Sequence, residues 1–141
     1  MASNYSIKSS PLSWAKVPAM RHAMTLSPQA TYMFYLDPHA LIMNMEMDVV
    51  SHIMETSRLE KLMVAGVPIV PPDSVIKTVG GLKGDRVDLV LTQDKDGLSE
   101  KSIIIRSGDW AKYLLDVWFD PLYRSYNFQK AERHALEHII Q

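Results

Sequence analysis

Two places in this chain combine residue types and spacing that could do chemistry. The first is Asp37-Pro38-His39, which closes the apolar run at residues 31–36 (TYMFYL). A carboxylate at a strand end, with a second donor two residues on, can hold a divalent cation against a diphosphate. Mg²⁺ and Mn²⁺ prefer oxygen ligands and meet substrate phosphates through one or two carboxylates. The same tripeptide also reads as a turn, because Asp-Pro commonly starts one. The second place is Gln93 and Asp94, after the apolar run at residues 88–91 (DLVL). In layered α/β sheets, ligands gather at polar residues just beyond the carboxyl ends of strands, and both pairs stand there.

Other patterns carry less. His134 and His138 fit an HxxEH zinc-peptidase pattern and share one helical face. A catalytic zinc needs a third protein ligand, and His22, His39 and His52 give no supporting spacing, so a partly exposed helix with two histidines is the better reading. Asp94-Lys95-Asp96-Gly97 reads as a turn, since a calcium loop here would need carboxylates where Thr92 and Ile103 stand. Gly80, Gly81 and Gly84 match no phosphate-binding fingerprint. Lys16 and Arg21 are solvated charges by default, but they precede the first strand, where a phosphate could be met. Arg106 ends an apolar run and is placed to pair with a carboxylate.

These residues need elements to position them. Residues 1–11 are polar and read as an irregular lead-in. Trp14, Val17, Met20, Ala23 and Met24 recur at helical spacing, with Ser13 as N-cap, Pro18 early and Ser27-Pro28 as the stop. The unalternating run at 31–36 suits a strand buried on both faces, as in a parallel sheet. A short helix is expected over 56–64, a Gly- and Pro-rich loop from Gly66 to Asp85, and strands at 88–91 and 102–106. An amphipathic helix follows from Asp109 to Trp118, with Trp110, Tyr113, Leu114 and Val117 on its apolar stripe. After a turn-like DPLYRSYN, a last helix starts near Phe128 and runs to the end. Strands alternating with helices give an α/β layer structure.

The bulk properties set bounds on this reading. A chain of 141 residues is one domain by default, long enough to bury roughly two-thirds of its unfolded surface. Its 47% apolar and 22% charged residues are those of an ordinary globular protein. A formal charge of −1 leaves no footprint for nucleic acid or anionic lipid. Without cysteine there is no disulfide and no thiolate metal site. No stretch reaches the roughly 18 apolar residues of a membrane span, and the first residues lack the apolar core of a secretory signal. The expectation for this stretch alone is a cytoplasmic chain.

In order, SWAKVPAMRHAM, ATYMFYLDPHALIMN, DLVLTQDKDGLSEKSIIIRSGDW and LLDVWFDPLYRSYNFQKAERHALEHII resemble the fungal galactosyl- and mannosyltransferase family, over about residues 4–141. That family also contains the plant xyloglucan xylosyltransferases. The resemblance implies a partial GT-A fold, a Rossmann-like α/β sheet binding a nucleotide sugar, across residues 12–141. It implies a Golgi membrane enzyme that uses Mn²⁺ to move a hexose, with retention, from GDP-mannose or UDP-galactose to a glycan acceptor. By position, Asp37 matches the first acid of the family's metal motif, and His39 stands where a second Asp is usual. Lys16 then becomes a phosphate or sugar contact. Glu132 matches an acid near the reacting sugar, with Gln93 and Asp94 on a loop beside it. Ser99 replaces an Asn of the family pattern, Lys101 a Gly, and Arg133 a Gln. The family's anchor, stem and first strand would lie upstream, and a last metal-binding His downstream. Little transfer by this chain alone is therefore expected. The alternative is a non-catalytic subunit or scaffold among other mannosyltransferase subunits.

Overall fold

The computed structural model describes residues 12–70, 74–125 and 131–141. The lead-in at 1–11 and the expected helix start near Phe128 lie outside the described residues. A turn of 3-10 helix, Leu12–Ala15, runs directly into α1, Lys16–Leu26. Trp14 of the turn and Val17, Met20 and Met24 of α1 are the buried apolar residues, and the Ser27 N–H closes α1 on the Ala23 carbonyl at 3.0 Å. Pro18 falls in the first helical turn, where no N–H is missed. Ser13 is not the N-cap, because the 3-10 turn already continues the helical path; its hydroxyl points elsewhere.

Three strands follow: β1 (Tyr32–Leu36), β2 (Leu89–Asp94) and β3 (Gly97–Arg106). The sheet order is β1-β3-β2, so β3 is central. Ile103 and Ile105 face one side and Ile104 the other, and all three are buried. Burial on both faces therefore belongs to β3 and not, as expected, to the run at 31–36: β1 is an edge strand of this sheet, part-buried with Phe34 44% exposed. The expected parallel sheet is not found either. Both pairings are antiparallel, with Tyr32 opposite Arg106 and Leu91 opposite Ile103. For β2 and β3 the reason is covalent: only Lys95 and Asp96 separate them, and parallel strands need a crossover of a dozen residues or more. Gln93 and Asp94 consequently lie within β2 rather than beyond it, and β3 begins at Gly97 rather than 102.

Helices cover both faces. On one, α1 packs with α3 (Asp109–Trp118) and α5 (Ala131–Ile140) over Ile103, Ile105, Met33 and Tyr35. On the other, a single π-turn at Val50–Met54 and α2 (Thr56–Leu62) cover Ile104, Tyr32 and Val90. The α3 face differs from the stripe read above. Ala111, Leu114, Leu115 and Trp118 are buried, whereas Trp110 and Tyr113 are largely exposed. The turn-like stretch holds α4, Pro121–Ser125, with Pro121 in its first turn and the Asp120 carboxylate accepting the Leu122 N–H at 2.8 Å. The Gly/Pro-rich loop carries one isolated bridge, Pro68 to Lys77, and a 3-10 turn at Gly84–Arg86.

Trp118 joins core and backbone. It is 1% exposed, and its indole N–H donates to the Glu132 carbonyl at 2.8 Å. Trp118→Phe removes that buried hydrogen bond, which costs about 0.5–1.5 kcal/mol. A urea titration should show the loss; an unchanged midpoint would mean that water satisfies the carbonyl.

Candidate functional site

The end of the sheet where β1 gives way to Asp37 gathers most of the chemically interesting side chains. Lys16 opens α1 and Glu132 lies in the first turn of α5; both are buried although charged. The Lys16 Nζ stands 3.0 Å from Glu132 Oε1 and 3.7 Å from Glu100 Oε1. The Ser13 hydroxyl donates to the other Glu132 oxygen at 2.8 Å. Lys16 is therefore no solvated charge, and its ammonium is directed into the protein. A buried ion pair survives its desolvation only with such supporting contacts.

Glu100 reaches Lys16 through a bulge. Leu91 pairs with Ile103, but the next residue, Thr92, pairs with Ser99. Glu100, Lys101 and Ser102 are left without partners on β2, while Ser102 still pairs with Leu36 on β1. Extra residues in one strand bend it and re-aim its side chains. Here the bulge carries Glu100 towards α1, leaves Lys101 exposed, and lets the Lys101 carbonyl accept the Asp37 N–H at 2.8 Å.

Asp37 adjoins this cluster on the open side. One of its carboxylate oxygens accepts the His39 N–H at 2.8 Å and faces the His39 Nδ1 at 3.0 Å. These contacts, the backbone N–H first, hold the Asp37 carboxyl below its usual range, with a further contribution from the Lys16 charge. Tyr35 shows the complementary effect. Burial pushes its phenol up, and the negative charges of Asp37, Glu100 and Glu132 add to the shift. Tyr35 thus lies within electrostatic reach of Asp37, Glu100 and Glu132, and Asp37 within reach of Lys16. Among the described residues, no three His, Cys, Asp or Glu side chains form a group able to hold a metal. Asp37 and His39 are one carboxylate and one imidazole, two donors of types that Mn²⁺ accepts, and they fit part of such a site.

Gln93 and Asp94 are not brought to this cluster. The Gln93 amide donates to the Pro68 and Ile69 carbonyls at 2.8 and 2.7 Å, stapling the long loop to β2. Both residues line an apolar cleft of about 770 Å³ along β2, which none of Lys16, Asp37, Glu100 or Glu132 lines. Asp94 accepts the Asp96 N–H at 2.8 Å and lies 3.9 Å from Arg133. Arg133 also donates to the Asp96 carbonyl and to Glu137 at 3.3 Å, so it clasps the β2–β3 turn to α5. Gly97 completes the clasp. Its φ is +114°, and an added Cβ would stand 2.6 Å from Glu137 Oε1. His138 meets Tyr123 with tilted rings whose centroids are 5.9 Å apart. Arg106 pairs with Asp88 at 3.2 Å and Arg21 with Asp116 at 3.2 Å.

Sequence reading missed Glu100 and Ser13. A lone charged residue in a strand carries no pattern, and only the bulge reveals Glu100. Ser13 was visible as a helix-start residue, but its partner is far along the chain.

The galactosyl transferase GMA12/MNN10 family matches residues 1–141. An uncharacterized alpha-1,2-galactosyltransferase of Schizosaccharomyces pombe is 31% identical over 91% of this chain and 39% of its own length. An alpha-1,2-galactosyltransferase of the same organism is 29% identical, over 90% of this chain and 35% of its own. The probable alpha-1,6-mannosyltransferase MNN10 of Saccharomyces cerevisiae is 28% identical, over 91% and 33%. The chain therefore spans well under half the length of these relatives. No solved structure matches. No helix of the described residues is long and apolar enough to cross a membrane. The chain belongs to the galactosyl transferase GMA12/MNN10 family.

Two outcomes follow from this geometry. Lys16→Met leaves Glu132 buried without its cation and costs about 3–5 kcal/mol in urea unfolding, most of which Lys16→Met/Glu132→Leu recovers. Independent, additive losses would contradict the pairing. Because Asp37 is depressed, its contacts with His39 stabilise the fold above the ordinary carboxylate range and are lost as pH falls through the lowered midpoint. Carboxyl-carbon NMR should find that midpoint rising only part-way in His39→Ala, since the backbone N–H remains.

Proposed function

We propose that this chain is the central part of a catalytic domain that transfers a hexose from a nucleotide sugar to a glycan, with retention and with Mn²⁺. The single observation that supports the reading is convergence. Lys16, Asp37 and Glu132 come from distant parts of the chain, and each matches a site position of the family resemblance. All three lie at one end of the sheet, joined by a buried ion pair and by electrostatic reach.

On this reading, Asp37 and His39 would hold the ion, which would offset the negative charge on the leaving nucleoside diphosphate. His39 in place of a second carboxylate gives up one negative charge and one hard oxygen ligand, which weakens the hold on Mn²⁺. Glu132, fixed by Lys16 and Ser13, presents a carboxylate whose position is set before any sugar arrives, and such pre-organisation lowers the barrier by orientation. Gln93 and Asp94 have a different part. They fix the long loop and the β2–β3 turn, away from this cluster.

Isothermal calorimetry of the folded chain with UDP-galactose and GDP-mannose, with and without Mn²⁺, tests the proposal. Saturable binding is expected with one donor and only with Mn²⁺. Asp37→Asn should abolish the Mn²⁺ dependence, and His39→Asp should tighten Mn²⁺-dependent binding about tenfold by restoring a hard oxygen ligand. A folded chain that binds neither donor would favour the non-catalytic subunit.

A further inference from the structure

Lys16 is the one residue of the cluster with positive charge directed inward, and on the proposed function it would be the natural contact for a donor diphosphate. Its surroundings argue otherwise. Glu132 lies 3.0 Å from its Nζ and Glu100 lies 3.7 Å away, with the Glu100 side chain only 15% exposed. Asp37 is a third carboxylate within reach of the same charge. One ammonium thus faces two carboxylates at close range, and Lys101, next to Glu100 in the strand, is exposed on the surface. An incoming phosphate would have to displace buried carboxylates from Lys16 while entering a field that is already negative.

Resting on the transferase reading above, we infer that Glu100 is a positioning residue that shares Lys16 with Glu132 and withholds its ammonium from the donor diphosphate. The β3 bulge is the device. Without the three unpaired residues, position 100 would stay in register with β2 instead of reaching α1. The consequence is a division of labour. Diphosphate binding is left to the Asp37–His39 end, and the Lys16 charge is used within the protein to hold Glu132 and Glu100 in place.

The test uses GDP and UDP, each with Mn²⁺, as calorimetric probes of the wild-type chain, Glu100→Gln, and Glu100→Gln/Lys16→Met. Glu100→Gln keeps the shape and removes one negative charge, so diphosphate affinity should rise about three- to tenfold at low salt. The gain should shrink as ionic strength rises, and it should vanish in the double variant. Unchanged or weaker binding by Glu100→Gln, or a gain that persists with Lys16→Met, overturns the inference. Urea unfolding supplies an arm that needs no nucleotide. Glu100→Gln should cost stability only where Lys16 is present, and an equal cost in the Lys16→Met background overturns the shared pairing. If the folded wild-type chain binds neither diphosphate, the transferase reading fails for this chain, and the urea arm alone still decides whether Glu100 holds Lys16.

Discussion

Taking Lys16 and Glu132 out of water costs several kcal/mol for each ion, and their attraction recovers that only if the remaining donors and acceptors are satisfied. In this chain they are. Ser13 takes the second Glu132 oxygen, Glu100 approaches Lys16 from the bulge, and the Glu132 backbone carbonyl receives the Trp118 indole. The contacts come from the entry to α1, from β3, from the end of α3 and from α5, so a single pair registers four elements against one another. Apolar packing of Trp14, Val17, Ile103, Ile105 and Leu136 supplies the cohesion beneath it. Hydrophobic contact is non-directional; the ion pair is what specifies where along its axis α5 must sit.

The neighbouring residue on α5 does a second, separate job. Arg133 clasps the β2–β3 turn through Asp96 and Asp94, and Gly97 leaves room for the Arg133–Glu137 pair. One turn of helix therefore faces the proposed sugar site with Glu132 and secures the sheet's hairpin with Arg133. This gives a physical meaning to an arginine where the family resemblance leads one to expect glutamine. It also explains why Asp94, expected beside Asp37 at the carboxyl ends of the strands, ends up serving α5 instead of the site.

Much of this was legible in the residues. Period 3.6 located α1. Burial on both faces, read for 31–36, belongs instead to β3, because β1 is an edge strand with Phe34 44% exposed. The apolar stretch inside β3 was legible as a strand. The direction of the strands was not, because an apolar run is equally apolar in either direction. The signal that would have resolved it was the short Lys95-Asp96 connection before Gly97, a hairpin-length link. On α3 the bulky Trp110 and Tyr113 drew the apolar stripe to the wrong face, while Ala111, small and fully buried, marked the true one with Leu114, Leu115 and Trp118. Asp37, His39, Lys16 and Glu132 were named from sequence. Their mutual geometry was not, since pairing between the first and last helices leaves no local trace, and the Glu100 bulge is invisible without the register.

The account rests on Lys16 being held inside the protein by carboxylates. Proton–nitrogen correlation spectroscopy of the lysine ammonium groups reads this directly. Lys16 is predicted to give an ammonium signal protected from water exchange at neutral pH, with scalar coupling or cross-relaxation to the Glu132 carboxylate. A Lys16 ammonium that exchanges with water as fast as those of the exposed lysines would contradict it, and the site would then have to be built without this pair.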